Sequence, residues 1–241
     1  MKVKFNYPEN LFLHTTQRSD PSLREDGSLS NNFLKPILVQ EFSEEGFRKF
    51  YNNFQVFLDA DMPIIPVIID SYGGEVYSLL GMIDLFKMSP VPVLTLSISK
   101  SMSCGSFLAA FGTLGYRYIS PQSTIMVHSI SSFEWGKLED LKADVAETER
   151  LGDLLFNQLD AACGRKKGFF RNVLKENHNA NAYYGPIECK EYGLVDHIGI
   201  PKIDINYDWS TNFNISVEKP FKSDFIRKKK KVYKKRDGQD E

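Results

Sequence analysis

The run Ile64-Ile65-Pro66-Val67-Ile68-Ile69, ending at Asp70, shows no alternation of apolar and polar residues. A strand with one wet face alternates, so a run apolar on both faces belongs to a strand covered on both sides, as in a parallel sheet. Parallel neighbours need crossover connections, ordinarily helices, and the flanking sequence supplies them. Ser43 suits a helix N-cap, and Glu44 and Glu45 suit the positive helix end. Phe47, Phe50, Tyr51, Phe54, Phe57 and Leu58 recur at helical spacing, which predicts an amphipathic helix over about 43–60. Val76, Leu79, Leu80, Ile83 and Phe86 mark a second helix, stopped before Pro90. Pro36 to Val39, Val91 to Ile98, Tyr116 to Ile119 and Thr124 to His128 read as further strands. Gly136 opens the longest helix, expected over about 137–163, with Gly164 where a C′ glycine belongs. Strands alternating with helices mean an α/β fold, and the sequence shows no internal repeat.

With 241 residues the chain is long enough for one domain with a sizeable core. A net charge of −1 makes no whole-chain case for nucleic acid. Cys104, Cys163 and Cys189 are odd in number and lack CxxC spacing, which argues against a disulfide scaffold or a zinc site and suits a reducing cytosol. No apolar run approaches the length of a membrane span, and the first residues lack the apolar stretch of a signal peptide. The expectation is a cytoplasmic protein with no membrane partner, no nucleic-acid partner, no metal and no cofactor. Residues 1–32 read as a mobile N-terminal arm, 33–200 as the folded domain and 201–241 as a C-terminal extension without clear periodicity. Arg227 to Lys231 and Lys234 to Arg236 make a basic segment, either a docking tail for an acidic partner or a solvated terminus.

The chemistry-bearing residues cluster at the ends of β-like runs. Ser103 lies in a small-residue turn, Ser101-Met102-Ser103-Cys104-Gly105-Ser106, that opens an apolar segment. His128 ends a β-like run 25 positions later, and Asp70-Ser71-Tyr72-Gly73-Gly74 closes another. Serine is a poor nucleophile at neutral pH and needs a base, for which histidine is suited because it titrates near neutrality. A Gly-Gly turn at a helix start exposes amides that can approach a developing oxyanion, and the amide of Cys104, after the serine, can supply a second donor. Each piece also has a purely structural reading: Ser103 as an N-cap, His128 as a satisfied core histidine, Gly73-Gly74 as a turn, Cys104 as packing.

Taken together, these motifs resemble the Clp protease proteolytic subunit family, ClpP, over roughly residues 36–200. The family's Ser-Pro-Gly-Gly turn reads here Ser71-Tyr72-Gly73-Gly74, and its Ser-Met-Gly-Ala-Phe nucleophile segment reads Ser103-Cys104-Gly105-Ser106-Phe107. The interval of 29 residues from Gly74 to Ser103 and that of 25 from Ser103 to His128 match without a gap. Gly136 and Gly164 fall at family positions, and Glu191 to Asp196 reproduces the family's Glu-Tyr-Gly-Leu-Val-Asp unchanged. The resemblance implies a crotonase-like spiral of ββα units. It implies a protruding handle helix that zips two stacked heptameric rings into a barrel. It also implies a chamber fed with unfolded polypeptide by an AAA+ unfoldase, the Clp ATPase. Position by position it implies a serine endopeptidase with Ser103 as nucleophile, His128 as base, and the amides of Gly74 and Cys104 as oxyanion hole.

Several positions depart from the family. Its third catalytic residue is an aspartate, and counting back from Asp196 gives Asn181, whereas counting forward from Gly164 gives Asn177, because this chain has four extra residues between. Asn181 is the assignment, since the segment from it to Asp196 aligns without a gap; Glu176 and His178 are remoter substitutes. Asparagine can orient His128 through its carbonyl oxygen but cannot stabilise an imidazolium by charge. Tyr72 replaces the family's proline, and Ser129-Ile130 replaces Gln-Pro after the histidine. Three alternatives stand beside the active peptidase. One is a weak or inactive structural and regulatory ring subunit in a mixed complex. Another is a crotonase-type acyl-CoA enzyme. The last is a Ser–Lys dyad using Lys100.

Overall fold

The computed structural model describes residues 14–16, 35–60, 62–130, 136–178, 180–207 and 213–218. The basic segment at 227–236, and the N-terminal arm apart from 14–16, lie outside the described residues. After a short strand β1 (His14–Thr16) come β2 (Ile37–Val39) and helix α1 (Glu44–Asp59). α1 begins where its cap predicts: Ser43 Oγ accepts the Gly46 N–H at 3.0 Å, and Glu44 and Glu45 occupy the first turn. Its Phe50, Phe54 and Phe57 are buried, and Phe50 and Phe54 meet Phe86 of the next helix.

β3 (Ile65–Ser71) is followed by α2 (Val76–Met88), β4 (Val93–Met102), α3 (Cys104–Ala110), β5 (Arg117–Ile119) and β6 (Thr124–Val127). The long helix α4 (Leu138–Ala162) ends at Gly164 with φ +66°, the left-handed C′ position that glycine takes without a Cβ penalty. Then come α5 (Phe169–Glu176), β7 (Ala182–Tyr184), α6 (Pro186–Glu191), β8 (His197–Ile198) and a hairpin of β9 (Lys202–Tyr207) and β10 (Phe213–Glu218). β9 also pairs in parallel with β1, so a three-stranded sheet occupies part of the extension in which no periodicity was read.

The main sheet runs β2-β3-β4-β5-β8, all parallel. Isoleucines 64, 65 and 69 and Val67 are fully buried, as a two-sided covered strand requires. β4 is longer than the expected 91–98 and serves two partners on the edge away from β3. Thr95 to Ser97 pair with β5, and Lys100 to Met102 pair with β6. The switch occurs at an irregularity: Ile69 pairs with Ser97, yet Ser71 pairs with Ser101, and Ser99 between them has φ +57°. The buried serines of this stretch satisfy one another, Ser101 Oγ donating to Ser97 Oγ at 2.9 Å and Ser123 Oγ to the Ser97 carbonyl at 3.1 Å.

Three ties hold the last third of the chain to the sheet. Asp160, buried near the end of α4, accepts the N–H groups of Gly168 (2.6 Å) and Phe170 (3.0 Å) and so seats α5. Arg117 on β5 forms a forked pair with Asp196, through Nη2 to Oδ1 at 2.7 Å and Nε to Oδ2 at 3.0 Å, while its Nη1 donates to the carbonyls of Ala110 and Ala162. Burial alone would push the Asp196 carboxyl up, but the guanidinium and the N–H groups of Arg117 and Gly115 outweigh it and hold the carboxyl below its ordinary range. Gly193 packs against the carbonyl of Cys163, where a Cβ would collide. The Glu191–Asp196 segment therefore does structural work at the end of α4. Among the described residues no helix is long and apolar enough to cross a membrane, and no cluster of His, Cys, Asp and Glu could hold a metal ion.

Candidate active site

Ser103 stands between β4 and α3, at the carboxyl edge of the parallel strands, where open α/β sheets place their ligand crevices. Its backbone is strained, with φ +54° and ψ −122°, a conformation that persists in a non-glycine residue only when the surroundings impose it. Those surroundings are visible. The Ser103 N–H donates to the Met126 carbonyl at 2.9 Å, extending the β4–β6 ladder through the turn, and its own carbonyl starts α3 by accepting Ser106 N–H. Although Ser103 occupies the cap position, its hydroxyl caps nothing. The side chain points instead to His128, whose Nε2 lies 2.8 Å from Oγ. A sharp strand-to-helix turn that lifts a serine hydroxyl out of the backbone is the geometry of a nucleophile elbow.

His128 follows β6 directly, and the parallel register of β6 with β4 (Ser101 beside Ile125, Met102 beside Met126) brings it abreast of the serine turn. Burial holds its imidazole below the ordinary histidine range, so the neutral, proton-accepting form prevails at neutral pH. With Nδ1 protonated, Ser103 Oγ–H donates to Nε2.

The Gly73-Gly74 turn closes the other side. Gly73 has φ +107°, and a Cβ there would stand 2.6 Å from the Ser103 Cβ and 3.1 Å from its Oγ. Gly74 has φ +146°, and a Cβ there would run into the Phe42 carbonyl. Both positions thus require glycine for backbone angle and for space. The Gly73 N–H is taken by Ser71 Oγ at 3.0 Å, whereas Gly74 N–H and the helix-starting N–H of Cys104 donate to no partner among the described residues. Two unengaged amides beside a serine hydroxyl are what an oxyanion site needs. The Cys104 thiol donates to the Gly74 carbonyl at 3.1 Å and burial pushes it up to about 11, so it ties the two loops together and stays a thiol.

Asn181 precedes β7, which runs antiparallel to β6 with Val127 opposite Ala182 and Met126 opposite Tyr183. Carrying that register one step further sets Asn181 opposite His128. Among the described residues no hydrogen bond joins their side chains; the Asn181 carbonyl accepts Asn177 Nδ2 at 3.3 Å, and Asn181 is exposed. Glu176 and His178, at the end of α5 and just beyond it, have no hydrogen bond with His128 either. Lys100 is engaged elsewhere: its Nζ lies 2.6 Å from Asp70 Oδ1 and 4.5 Å from the Tyr72 ring centre, which corrects the Ser–Lys alternative. That Asp70–Lys100–Tyr72 cluster was missed by sequence reasoning. A lysine and an aspartate at the ends of adjacent strands were its signal, hidden by the register irregularity that brings them together.

The chain matches the model of the family described as Clp protease over residues 37–202. It is also similar to the ATP-dependent Clp protease proteolytic subunit of Nephroselmis olivacea, with 27% identity over 161 residues that make up 66% of this chain and 76% of that protein.

Proposed function

Because this chain belongs to the Clp protease family, we propose that it is a proteolytic subunit that hydrolyses peptide bonds of unfolded polypeptides with Ser103 as nucleophile. The observation that carries the reading is the 2.8 Å bond between Ser103 Oγ and a neutral, part-buried His128 Nε2. In the first half-reaction His128 takes the hydroxyl proton as Oγ attacks the scissile carbonyl. The N–H groups of Gly74 and Cys104 receive the oxyanion. His128 then returns the proton to the leaving amine, and an acyl-serine remains. A water, deprotonated by the same imidazole, releases the acid and restores the serine. Asn181 supplies at most an orienting carbonyl oxygen, so it gives the imidazolium formed in each step no counter-charge.

Assembly into two stacked heptameric rings, with α4 as the zipping handle and a Clp ATPase docked on the barrel end, belongs to the same proposal. Leu138 and Val145 are exposed apolar residues on α4, which supports burial against another copy. A second reading has a specific observation behind it: Asn181, with no side-chain hydrogen bond to His128 among the described residues, fits a ring subunit of low activity that tunes a mixed complex. The acyl-CoA alternative makes no use of the Ser103–His128 bond.

A fluorophosphonate serine-hydrolase probe tests the choice. Labelling of the purified protein that disappears in Ser103→Ala is the expected result. Absence of labelling in an assembled, folded barrel overturns the peptidase reading and leaves the regulatory one.

A further inference from the structure

We propose that Tyr72, pinned by Lys100 and Asp70, is a specificity-determining residue whose ring forms a stacking wall for a planar side chain of the substrate peptide, next to the scissile bond. The placement rests on the reading of Ser103 as nucleophile. Tyr72 is bonded directly to Gly73, the residue packed onto Ser103 so closely that it has no room for a Cβ. The Tyr72 Cα is thus one residue, roughly 3.8 Å, from the Gly73 Cα, which puts the residue that carries the ring beside the path of a peptide whose carbonyl reaches Ser103 Oγ and the Gly74 amide.

The ring is 76% exposed, so burial does not explain it. It is nevertheless held. Lys100 Nζ sits 4.5 Å from the ring centre, close enough for a cation–π contact, and Asp70 Oδ1 holds that ammonium at 2.6 Å. Both charged side chains are about three-quarters shielded from solvent. Lys100 reaches this position because β4 carries extra residues between Ser97 and Ser101, with Ser99 forced to φ +57°. A strained bulge beside a functional site re-aims a side chain, and here the side chain re-aimed is the one that fixes Tyr72.

One face of the ring is thus covered by a cation and the other is open. Aromatic pairs gain stabilisation beyond the area they bury, whereas an aliphatic side chain of similar size gains the area alone. The wall therefore selects Phe, Tyr or Trp over Leu at the substrate position that meets it. An exposed tyrosine with a purely structural role would produce no such discrimination.

The test uses fluorescein-labelled peptides identical except for Phe, Trp, Leu or Lys at each position flanking the central bond, binding to the full chain carrying Ser103→Ala, read by anisotropy. At one flanking position Phe should bind about three- to ten-fold more tightly than Leu. Adding Tyr72→Ala should abolish that ratio, Tyr72→Phe should keep it, and Lys100→Met, which frees the ring without removing it, should reduce it. Equal binding of Phe and Leu peptides at both positions, or a ratio unmoved by Tyr72→Ala, overturns the inference. Fluorophosphonate labelling of the chain with Ser103 intact separates the two readings. A labelled protein whose ratio ignores Tyr72 sinks the stacking wall alone. An unlabelled protein whose ratio follows Tyr72 keeps the wall and sinks the nucleophile.

Discussion

Replacing Gly73 by alanine probes the close approach of this turn to Ser103. The new Cβ would stand 2.6 Å from the Ser103 Cβ, while ordinary van der Waals contact begins near 3.4 Å, so one of the two carbons must yield by about 0.8 Å, the difference between those distances. The φ of +107° adds a backbone penalty of about 1–2 kcal/mol for any residue with a Cβ. Gly164→Ala is the control: its φ is +66°, and a Cβ there meets nothing within 4 Å. Both variants should lose about 1–2 kcal/mol in chemical denaturation, Gly73→Ala somewhat more. Their fluorophosphonate labelling rates should part company. Gly164→Ala should react like the parent. Gly73→Ala should fall by about 10²-fold, the cost of shifting a catalytic group by nearly an ångström. Labelling of Gly73→Ala within twofold of the parent would refute the argument that this turn and the serine form one packed unit.

Asn181→Asp should raise peptide turnover about tenfold or more, because it restores a charge opposite the imidazolium; a flat or lower rate in a peptidase assay would show that position 181 does not act on His128. The acid limb of kcat/KM should fall below pH 6.5, the ordinary histidine value, because burial favours neutral His128. The sign is that of a depressed pKa: activity, and the stability linked to the neutral ring, persist above that value and are lost as pH falls, and an acid limb above it in a pH–rate profile would contradict the burial argument. Asp196→Ala leaves the Arg117 guanidinium, 3% exposed, without its partner and should cost about 3–5 kcal/mol in urea unfolding; a loss under about 1 kcal/mol would mean that water or a neighbour replaces the carboxylate.

How much of this was legible before the fold was known depended on how local each cause is. α1, α2 and α4 announced themselves through apolar residues at three and four spacings and through Ser43, Pro90 and Gly164, signals that act within a few residues. The family resemblance, resting on motifs in register, was likewise legible and agrees with the match over 37–202. α5, β7 and α6 were not, because they are short and are seated by remote groups: Asp160 caps α5 from the previous helix, and β7 exists by pairing with β6. The second half of β4 was missed because Ser99, Lys100 and Ser101 look like loop, and the burial of Ser101 is made tolerable by its hydrogen bond to Ser97 Oγ.

The α/β alternation, the two-sided strand at the centre and the residue types suited to acyl transfer are all written in the order of the residues. These follow from periodicity, capping and side-chain chemistry, which neighbouring residues carry. The turning of the Ser103 hydroxyl to His128 instead of capping α3, the turning of Lys100 to Asp70, and the placing of Asn181 opposite His128 with no side-chain hydrogen bond between them among the described residues are instead consequences of the folded arrangement. Each of those outcomes depends on strand register. Sliding one strand by a single residue reverses the face of every side chain it carries, and register is set by packing over the whole sheet.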